Sequence, residues 1–452
     1  MQNEWLLLVY LLAGCLFIAG IRGLASPQTA RFGNRLSIAG MAIAVTATLG
    51  VLPERNLIWI LLAMFTGGII GVVSGLKVKI TALPQMIAAF NGLGGLASAL
   101  IGLAEVWNGT LYSFQVSVGI VIGSIAFSGS VIAFAKLHGV MRSDFGAFPL
   151  QNAVNVILLV LLAALWAEYA LSGSVTSAYL LALTAMLLGV LVTLSVGGAD
   201  MPIIISVLNA CSGWAAAGIG FSLANVGLII TGALIGASGT ILAFIMTKAI
   251  NRSLFAIVFG RKMAVDKTKT ASEQKSAHVG NYEDAAFVLE NASKVMIVPG
   301  YGMAAAQAQH ALQSMASVLK NRFKVDVKFA VHPVAGRMPG HMNVLLAEAN
   351  VPYDDVLELD EANHELATTD AAYVIGANDI TNPAARTDRA LPIYGMPVLE
   401  VEKAKTVFFV KRSLGAGYSG VDNPLFYADN TIMLYGDAKK VTEDIVRVLE
   451  QR

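Results

Sequence analysis

The sequence predicts a polytopic α-helical membrane domain of about nine spans, followed by a doubly wound α/β domain. Of its 452 residues, 56% are hydrophobic and 13% are charged, whereas a soluble protein carries roughly 25% charged residues. The long apolar segments all lie before residue 262. Beyond it, short apolar segments alternate with helix-like ones, and the first apolar segment runs into a glycine-rich turn. This is the pattern of a parallel sheet covered by helices.

The change in composition predicts three parts: a transmembrane domain at 1–261, a linker at 262–284 and a second domain at 285–452. Residues 262–280 are mostly charged or small and show no periodicity, which indicates a flexible tether. The net charge of +1 gives no reason to expect nucleic acid as a partner. The six histidines lack metal-ligand spacing, so no metal site is predicted.

Nine segments are long and apolar enough to cross a bilayer, whose core takes about 20 residues per helix. They are 5–24, 36–52, 57–76, 83–106, 115–135, 152–171, 177–196, 201–223 and 226–247. Several carry small residues at helical spacing, including Gly232 with Gly236 and the run Gly67, Gly68, Gly71 and Gly75. Such spacing predicts close packing between helices.

The charges between the spans predict their orientation. If the spans alternate in direction, one side of the bilayer receives only Arg55, with four glutamates. The other side receives eleven basic residues: Arg22, Arg31, Arg35, Lys77, Lys79, Lys136, Arg142, Lys248, Arg252, Arg261 and Lys262. Basic residues collect on the cytoplasmic side. The N-terminus is therefore expected outside, and the second domain in the cytoplasm.

Polar residues within the spans are candidates for a proton pathway, because an unsatisfied polar group in hydrocarbon is costly. Asn91 in the fourth span, Ser130 in the fifth and Asn209 in the eighth form this set, with Asp200 at the start of the eighth. Two interpretations of the asparagines stay open: hydrogen bonding between helices, or water-holding stripes that face one another. Asp200 is either an N-cap or a relay beneath the cytoplasmic domain.

The second domain contains a G-x-G-x-x-A motif between a strand and a helix, the context that makes this motif informative. The strand at 294–298 leads into Gly300, Tyr301, Gly302, Met303, Ala304 and Ala305, and a helix is predicted from there to about residue 321. One glycine permits the tight turn, the next lets the backbone approach a pyrophosphate, and the alanine allows close packing of helix on strand. These features predict a Rossmann-like dinucleotide site.

The residues that would contact the ribose favour NADP(H) over NAD(H). The second strand, at 325–331, ends in His332 and Pro333, where an NAD site usually has an acidic residue for the 2′-hydroxyl. The strand at 406–410 is followed by Lys411, Arg412 and Ser413. Two cations and a hydroxyl at this position suit a phosphomonoester.

Three further loops are expected at the same edge of the sheet. They contribute Val334, Ala335, Gly336 and Arg337, then Gly376, Asn378 and Asp379, and finally Gly415, Gly417 and Tyr418 in a candidate lid. No triad or pair of carboxylates accompanies them. Hydride transfer between two nicotinamides needs neither, because both reactive atoms belong to cofactors. This chain offers one dinucleotide site, so the other is expected on a partner.

Taken together, these residues resemble the β subunit of the proton-translocating NAD(P) transhydrogenases over the whole chain. The most specific stretches are 300–304, 332–343, 376–379 and 411–413 in the second domain, and 197–202 and 209–214 in the membrane domain. The resemblance implies an NADP(H) site on this chain and an α subunit that carries the NAD(H)-binding domain. It also implies an α2β2 assembly in the bacterial cytoplasmic (inner) membrane.

The reaction implied by the resemblance is NADH + NADP⁺ giving NAD⁺ + NADPH, driven by protons that enter the cytoplasm through the domain at 1–261. By the same resemblance Asp379 and Tyr301 are the expected catalytic residues, and Asp379, Arg337 and Tyr418 belong to loops that respond to redox state. Lys411 and Arg412 would hold the 2′-phosphate. One departure is Asn91, where some members have a histidine. Because asparagine cannot titrate, the resemblance does not extend a proton-binding role to Asn91.

Two other functions fit parts of the sequence. A channel or transporter gated by a cytosolic NAD(H)-sensing domain would require an acidic residue after the second strand, and the sequence has His332 there. A membrane-anchored reductase that pumps no protons would need far fewer than nine spans.

Overall fold

A computed structural model describes residues 2–24, 27–52, 54–109, 113–141, 150–197, 200–259, 277–338, 340–389, 391, 393–413, 415 and 421–452. Within these residues the chain forms two compact units. The first comprises Met1–Gly197 and Ile204–Ala243, and the second comprises Gly198–Ile203 and Phe244–Arg452.

The described residues contain nine helices long and apolar enough to cross a membrane, which confirms the predicted number. They are α1 (Gln2–Leu24), α2 (Pro27–Leu49), α3 (Glu54–Lys77), α4 (Leu83–Trp107), α5 (Phe114–His138), α6 (Gln151–Ser172), α7 (Val175–Ser195), α8 (Met201–Ser222) and α9 (Val226–Ala249). The predicted start of the second span differs most: it is nine residues late, because the polar residues at its start lower the local hydropathy without breaking the helix.

Glycines bring α8 and α9 into backbone contact. A Cβ on Gly213 would lie 2.3 Å from the backbone nitrogen of Gly236, and one on Gly232 would lie 2.5 Å from that of Ala217. The close packing predicted for Gly232 and Gly236 is therefore present. The run from Gly67 to Gly75 on α3 is different, because within the described parts of the chain no atom lies within 4 Å of an added Cβ there.

The buried core of the membrane unit lies between α4, α5, α6 and α7. Ile120 on α5, Leu162 on α6 and Leu181 on α7 belong to one apolar cluster. Lys136 on α5, grouped above with the basic residues between the spans, is only 5% exposed. Its Nζ donates to the carbonyls of Thr193, Leu194 and Val196 at 3.3, 2.7 and 2.9 Å. It thus satisfies carbonyls that the end of α7 leaves without helical partners.

The second unit contains a seven-stranded sheet in which every pairing is parallel. The strands are β1 (His278–Val279), β2 (Lys294–Pro299), β3 (Asp326–Ala330), β4 (Val356–Leu357), β5 (Ala371–Ile375), β6 (Thr406–Lys411) and β7 (Thr431–Tyr435). Their order is β1-β7-β6-β5-β2-β3-β4. The chain winds outward from β2 in one direction and from β5 in the other, which confirms the doubly wound class.

Two strands were not predicted from the sequence. The first, β1, pairs with β7, so the sheet includes residues that the predicted boundary at 285 assigns to the linker. The other, β4, follows a 3-10 turn and pairs with β3 at two positions. Both strands have two residues, which is too short for an alternation of polar and apolar residues to be recognised.

The helices of the second unit are α10 (Leu254–Phe259), α11 (Tyr282–Glu290), α12 (Tyr301–Ala306), α13 (Gln309–Arg322), α14 (His341–Glu348), α15 (Leu359–Leu366), α16 (Ala384–Thr387) and α17 (Ala438–Gln451). The prediction of one helix from the glycine-rich turn to about residue 321 is wrong. Gln307, in the left-handed conformation at φ 53°, ends α12, and α13 begins two residues later. Nothing in the local composition marks this break.

Candidate functional site

The predicted nucleotide-binding loops meet at the carboxyl edge of the sheet. Gly300 follows β2, His332 lies just beyond β3, Gly376 follows β5, and Lys411 is the last residue of β6. Because all strands are parallel, these four positions share one edge. The neighbours β2 and β5 are also where the winding direction reverses, which is the usual ligand position in such sheets.

The turns after β2 and β5 pack backbone against backbone. The Gly302 N–H donates to the Gly376 carbonyl at 2.8 Å. A Cβ on Gly302 would lie 2.6 Å from the Gly376 Cα, and one on Gly376 would lie 2.2 Å from the Met303 nitrogen. Gly376 also has φ +66°, which disfavours other residues. The glycine at 302 is therefore required by this turn-to-turn contact, a reason that the sequence did not reveal.

Three predicted or neighbouring side chains cluster beyond β2 and β3. The Arg337 guanidinium lies 4.2 Å from the centroid of the Tyr301 ring, a cation–π distance. The Arg337 backbone N–H donates to His341 Nδ1 at 3.0 Å. Burial, reinforced by the nearby Arg337 charge, lowers the pKa of His341 to about 4. Neutral His341 thus fixes the backbone that presents Arg337.

His332 occupies the position where an NAD site would have an acidic residue, and it is only 1% exposed. Its Nδ1 accepts from the Val334 N–H at 3.2 Å, so its Nε2 donates to the Pro397 carbonyl at 2.7 Å. Burial lowers the pKa of His332 to about 4. Both nitrogens are used within the protein, and the ring holds two loops together. The sequence predicted that His332 stands where an NAD site has an acidic residue, but it did not reveal that the His332 ring joins two loops.

Lys411 lies at the candidate site in a partly buried position. Its Nζ donates to the Gly415 carbonyl at 2.8 Å and lies 4.2 Å above the Phe426 ring. Burial lowers the pKa of Lys411, and the carboxylates of Asp379 and Asp422 oppose that shift. A partly desolvated ammonium binds phosphate more strongly than one in open water.

Asp379 and Asn378 belong to a network that joins the loop after β5 to the segment after the candidate lid. Asn378 Nδ2 donates to Asp379 Oδ1 at 3.3 Å. Asn423, fully buried, donates from Nδ2 to the Asn378 carbonyl at 3.2 Å. This asparagine was not predicted from the sequence, although it holds a predicted site residue in place.

Arg412 is oriented differently from Lys411. Its Nη2 lies 2.9 Å from Asp437 Oδ2, and the two side chains are 74% and 43% exposed. Asp437 also caps α17 by accepting from the N–H groups of Lys439 and Lys440. Ser413 is exposed, and within the described residues its Oγ accepts a long hydrogen bond, 3.4 Å, from the Gly415 N–H. Gly417 and Tyr418, predicted for the lid, lie outside the described residues.

In the membrane unit, the candidate pathway residues on α4, α5 and α8 lie close to one another. Asn91 Nδ2 lies 3.5 Å from the Ile205 carbonyl on α8, one turn before Asn209. A Cβ on Gly92 would be 3.0 Å from that of Ser130. Ser130 is 1% exposed, and its Oγ has no hydrogen-bond partner among the described residues. At 3.5 Å the bond from Asn91 is long and therefore weak. The arrangement thus fits both a hydrogen bond between helices and a stripe of residues that holds water.

Asp200 binds an arginine. Both of its carboxylate oxygens lie 2.8 Å from Arg252 Nη1, and the two side chains are largely covered. Burial raises the pKa of the Asp200 carboxyl, while the Arg252 guanidinium opposes the rise. From the sequence, Arg252 is one of eleven basic residues expected on the cytoplasmic side, and its pairing with Asp200 was not predicted.

Comparison with known proteins supports the resemblance. The family model described as NAD(P) transhydrogenase beta subunit matches residues 6–448. The chain belongs to this family. A curated NAD(P) transhydrogenase subunit beta from Rhodospirillum rubrum is 52% identical over 464 residues, covering 99% of this chain and 100% of that protein. A second sequence of the same name, from a strain of that species, matches to the same extent.

Membership of the transhydrogenase β family establishes the kind of subunit, the class of cofactor and the partner of this chain. The chain is a multi-pass membrane subunit of an oxidoreductase, it works with nicotinamide nucleotides, and as a β subunit it has an α subunit as its partner. The residues at the sheet edge fit such a cofactor. Lys411 offers a partly buried cation, and the glycines at 300, 302 and 376 keep side chains away from the edge.

Proposed function

We propose that this β subunit supplies the NADP(H) site and most of the membrane domain of a proton-translocating transhydrogenase. In the proposed reaction, NADH and NADP⁺ give NAD⁺ and NADPH while protons enter the cytoplasm. The partner α subunit supplies the NAD(H) domain, and two αβ pairs form the complex. The location is the bacterial cytoplasmic membrane, with the N-terminus outside and the 285–452 domain in the cytoplasm.

The observation that carries the proposal is the chemistry at the ends of β3 and β6. The position that would repel a 2′-phosphate in an NAD site is taken by a buried, neutral His332. The end of β6 presents the Lys411 ammonium, with Arg412 and Ser413 next in the chain. This combination favours a nucleotide that carries an additional phosphate.

The other site residues would hold the remaining parts of the nucleotide. The turn from Gly300 to Ala305 and the loop from Val334 to Arg337 would hold the pyrophosphate, with Gly376 and Asn378 beside them. Arg337, held over the ring of Tyr301, offers a guanidinium for this purpose. Because α12 has only six residues, backbone N–H groups contribute more here than a helix dipole. The bound cofactor supplies the hydride chemistry.

Tyr301 and Asp379 are the proposed catalytic residues, in the sense that they would contact the reactive end of the nucleotide and keep it oriented and dry. Asp379 interacts with Asn378, which Asn423 holds in turn. Gly415, Gly417 and Tyr418 would form the lid.

For the proton we propose a route along Asn91, Ser130 and Asn209, with Asp200 at its cytoplasmic end. Asp200 is the one member of this set that can titrate. The guanidinium of Arg252 favours its ionised form and so opposes the rise in pKa that burial causes. Coupling requires that the redox state of the nucleotide shifts a two-state element that also controls these groups.

The test is to assay the purified β subunit with and without its α partner in vesicles. The β subunit alone should bind NADPH but exchange no hydride between NADH and NADP⁺, because it has one dinucleotide site. Adding the α subunit should restore exchange together with proton uptake. Robust exchange by the β subunit alone, or exchange by the complex without proton movement, would contradict the proposal.

A further inference from the structure

The turn that ends α9 is closed by two backbone hydrogen bonds. The Asn251 N–H donates to the Lys248 carbonyl at 3.1 Å. The Arg252 N–H donates to the Thr247 carbonyl at 3.0 Å. Asn251 is in the left-handed conformation, with φ 51°, and these two bonds around a left-handed residue form the Schellman motif. The motif holds residues 250–252, which we call the α9 cap, in a fixed orientation on the end of the helix.

The three residues of the α9 cap make three different contacts, all within the second compact unit. Ile250 packs against an apolar group, the loop cluster, which consists of Ala385, Ile393, Met396, Val398 and Val421. The amide of Asn251 lies against Gly395, where an added Cβ would be 2.2 Å from Asn251 Nδ2. Arg252 binds the Asp200 carboxylate. One short turn therefore contacts both the loops of this unit and a member of the proposed proton route.

The loop cluster involves three of the segments that carry candidate nucleotide-binding residues. Val334, which packs against the cluster, lies in the loop after β3. Ala385 and Met396 lie in the segment that follows β5, and Val421 comes directly after the candidate lid. A rearrangement of any of these loops around a nucleotide would therefore change the surface on which Ile250 packs.

Backbone hydrogen bonds attach the segment that contains Gly395 to the same loops. The Gly395 N–H donates to the Ala385 carbonyl at 2.7 Å. Further along, the Leu399 N–H donates at 2.8 Å to the carbonyl of Ile380, which is next to a proposed catalytic residue. Between these two bonds the loop after β3 is attached through the His332 ring. The position of Gly395 therefore depends on the loops after both β3 and β5.

We infer that the α9 cap transmits the state of the nucleotide site to Asp200, with Ile250 and Asn251 as positioning residues. The inference rests on the proposed function, in which Asp200 takes part in proton transfer. Because the cap is closed by its own hydrogen bonds, loops that displace Ile250 and Asn251 also move Arg252. The distance between guanidinium and carboxylate then changes, and with it the preference of Asp200 for its ionised form. The α9 cap is thus an element that both sites can bias.

The test uses the αβ complex in vesicles with its nucleotide domains facing outward, where NADPH and NAD⁺ drive the proposed reaction in reverse and protons move inward. Asn251→Gly removes the side chain that contacts Gly395 and keeps the cap, because glycine is the preferred residue at this left-handed position. Ile250→Ala removes the apolar contact. Both variants should lower the number of protons moved per hydride transferred by at least about twofold, the smallest effect expected of a residue that couples two sites. The NADPH affinity of the purified β subunit should change little.

The matched control is Ala224→Gly, because α8 ends in the same kind of turn. Ala224 is exposed and left-handed, with φ 50°. Its N–H donates to the Phe221 carbonyl, and the next N–H in the chain donates to the Gly220 carbonyl. Glycine at this position should leave the number of protons per hydride unchanged. Ile250→Val, which keeps most of the apolar contact, should restore the ratio that Ile250→Ala loses.

An unchanged ratio of protons to hydride in both variants, beside a coupled unsubstituted complex, overturns the inference and leaves the proposed function intact. An equal loss in Ala224→Gly also overturns it, because the effect would then belong to glycine at a helix end. If the unsubstituted complex moves no protons, the proposed function fails and the inference fails with it. Should Ile250→Ala not assemble, Asn251→Gly decides the question, since Asn251 is exposed and its side chain is not needed for folding.

Discussion

The ion pair between Arg412 and Asp437 leads to a prediction about nucleotide preference. In the proposed function Arg412 helps to hold the 2′-phosphate, but here its guanidinium lies 2.9 Å from a carboxylate. Binding of NADP(H) then replaces the contact of Arg412 with Asp437 by a contact of Arg412 with the 2′-phosphate. The side chains are 74% and 43% exposed, and exposed pairs contribute about 0.2–1 kcal/mol. A charge-assisted hydrogen bond contributes about 1.5–3 kcal/mol, so the exchange favours the phosphate.

Two substitutions follow from this difference. Arg412→Gln should weaken NADPH binding by about 0.5–3 kcal/mol, or roughly 2- to 150-fold. Asp437→Asn should strengthen it by up to about fivefold, because it removes the competing carboxylate. Asparagine caps helices as well as aspartate does, so the contacts to Lys439 and Lys440 at the start of α17 should remain.

Calorimetric titration of the purified β subunit, without the NAD(H) domain of its α partner, with NADPH and NADH at low ionic strength measures both effects. NADH affinity serves as the internal control and should stay nearly constant, because NADH has no 2′-phosphate. Equal losses for both nucleotides in Arg412→Gln would refute the assignment of Arg412. A loss of NADPH affinity in Asp437→Asn would show that the ion pair helps to organise the site and does not compete with it.

Three further predictions concern the turn, the membrane boundary and acid stability. Gly302→Val should abolish NADPH binding, since its side chain would collide with Gly376; near-normal affinity in a titration would place the cradle elsewhere. Asp200→Asn should abolish proton uptake by vesicles while NADPH still binds, and Asn209→Ala should do so more mildly; unchanged uptake and hydride transfer in both would leave these residues purely structural. His332 is neutral in the fold, with a pKa lowered from 6.5 to about 4, so the unfolded chain takes up its proton first as the pH falls. The His332 contribution to stability should therefore decrease between pH 6.5 and 4 by on the order of 3 kcal/mol, and thermal unfolding of His332→Gln should show a smaller decrease over that range than the unsubstituted protein.

Several features were predictable because they depend on residues close together in the chain. Hydropathy over about 20 residues is sufficient to identify a span, and the nine predicted windows correspond to α1 to α9. The turn after β2 was recognisable because its motif lies between an apolar strand and a helical segment. The strands β1 and β4 were missed because two residues are too few to show a pattern.

What only the tertiary structure decided is which distant groups meet. The charges between the spans predict that Lys136 lies at the cytoplasmic surface. The packing of α5 on α7 instead buries it against three carbonyls. The glycine motif predicts a close approach to a pyrophosphate, and the sheet order adds a close approach to Gly376 by setting β5 beside β2. Likewise Asp200 finds Arg252 52 positions away. Local periodicity determines which face of a helix or strand is apolar, but the partner across that face depends on strand order and helix register, which no short window of sequence contains.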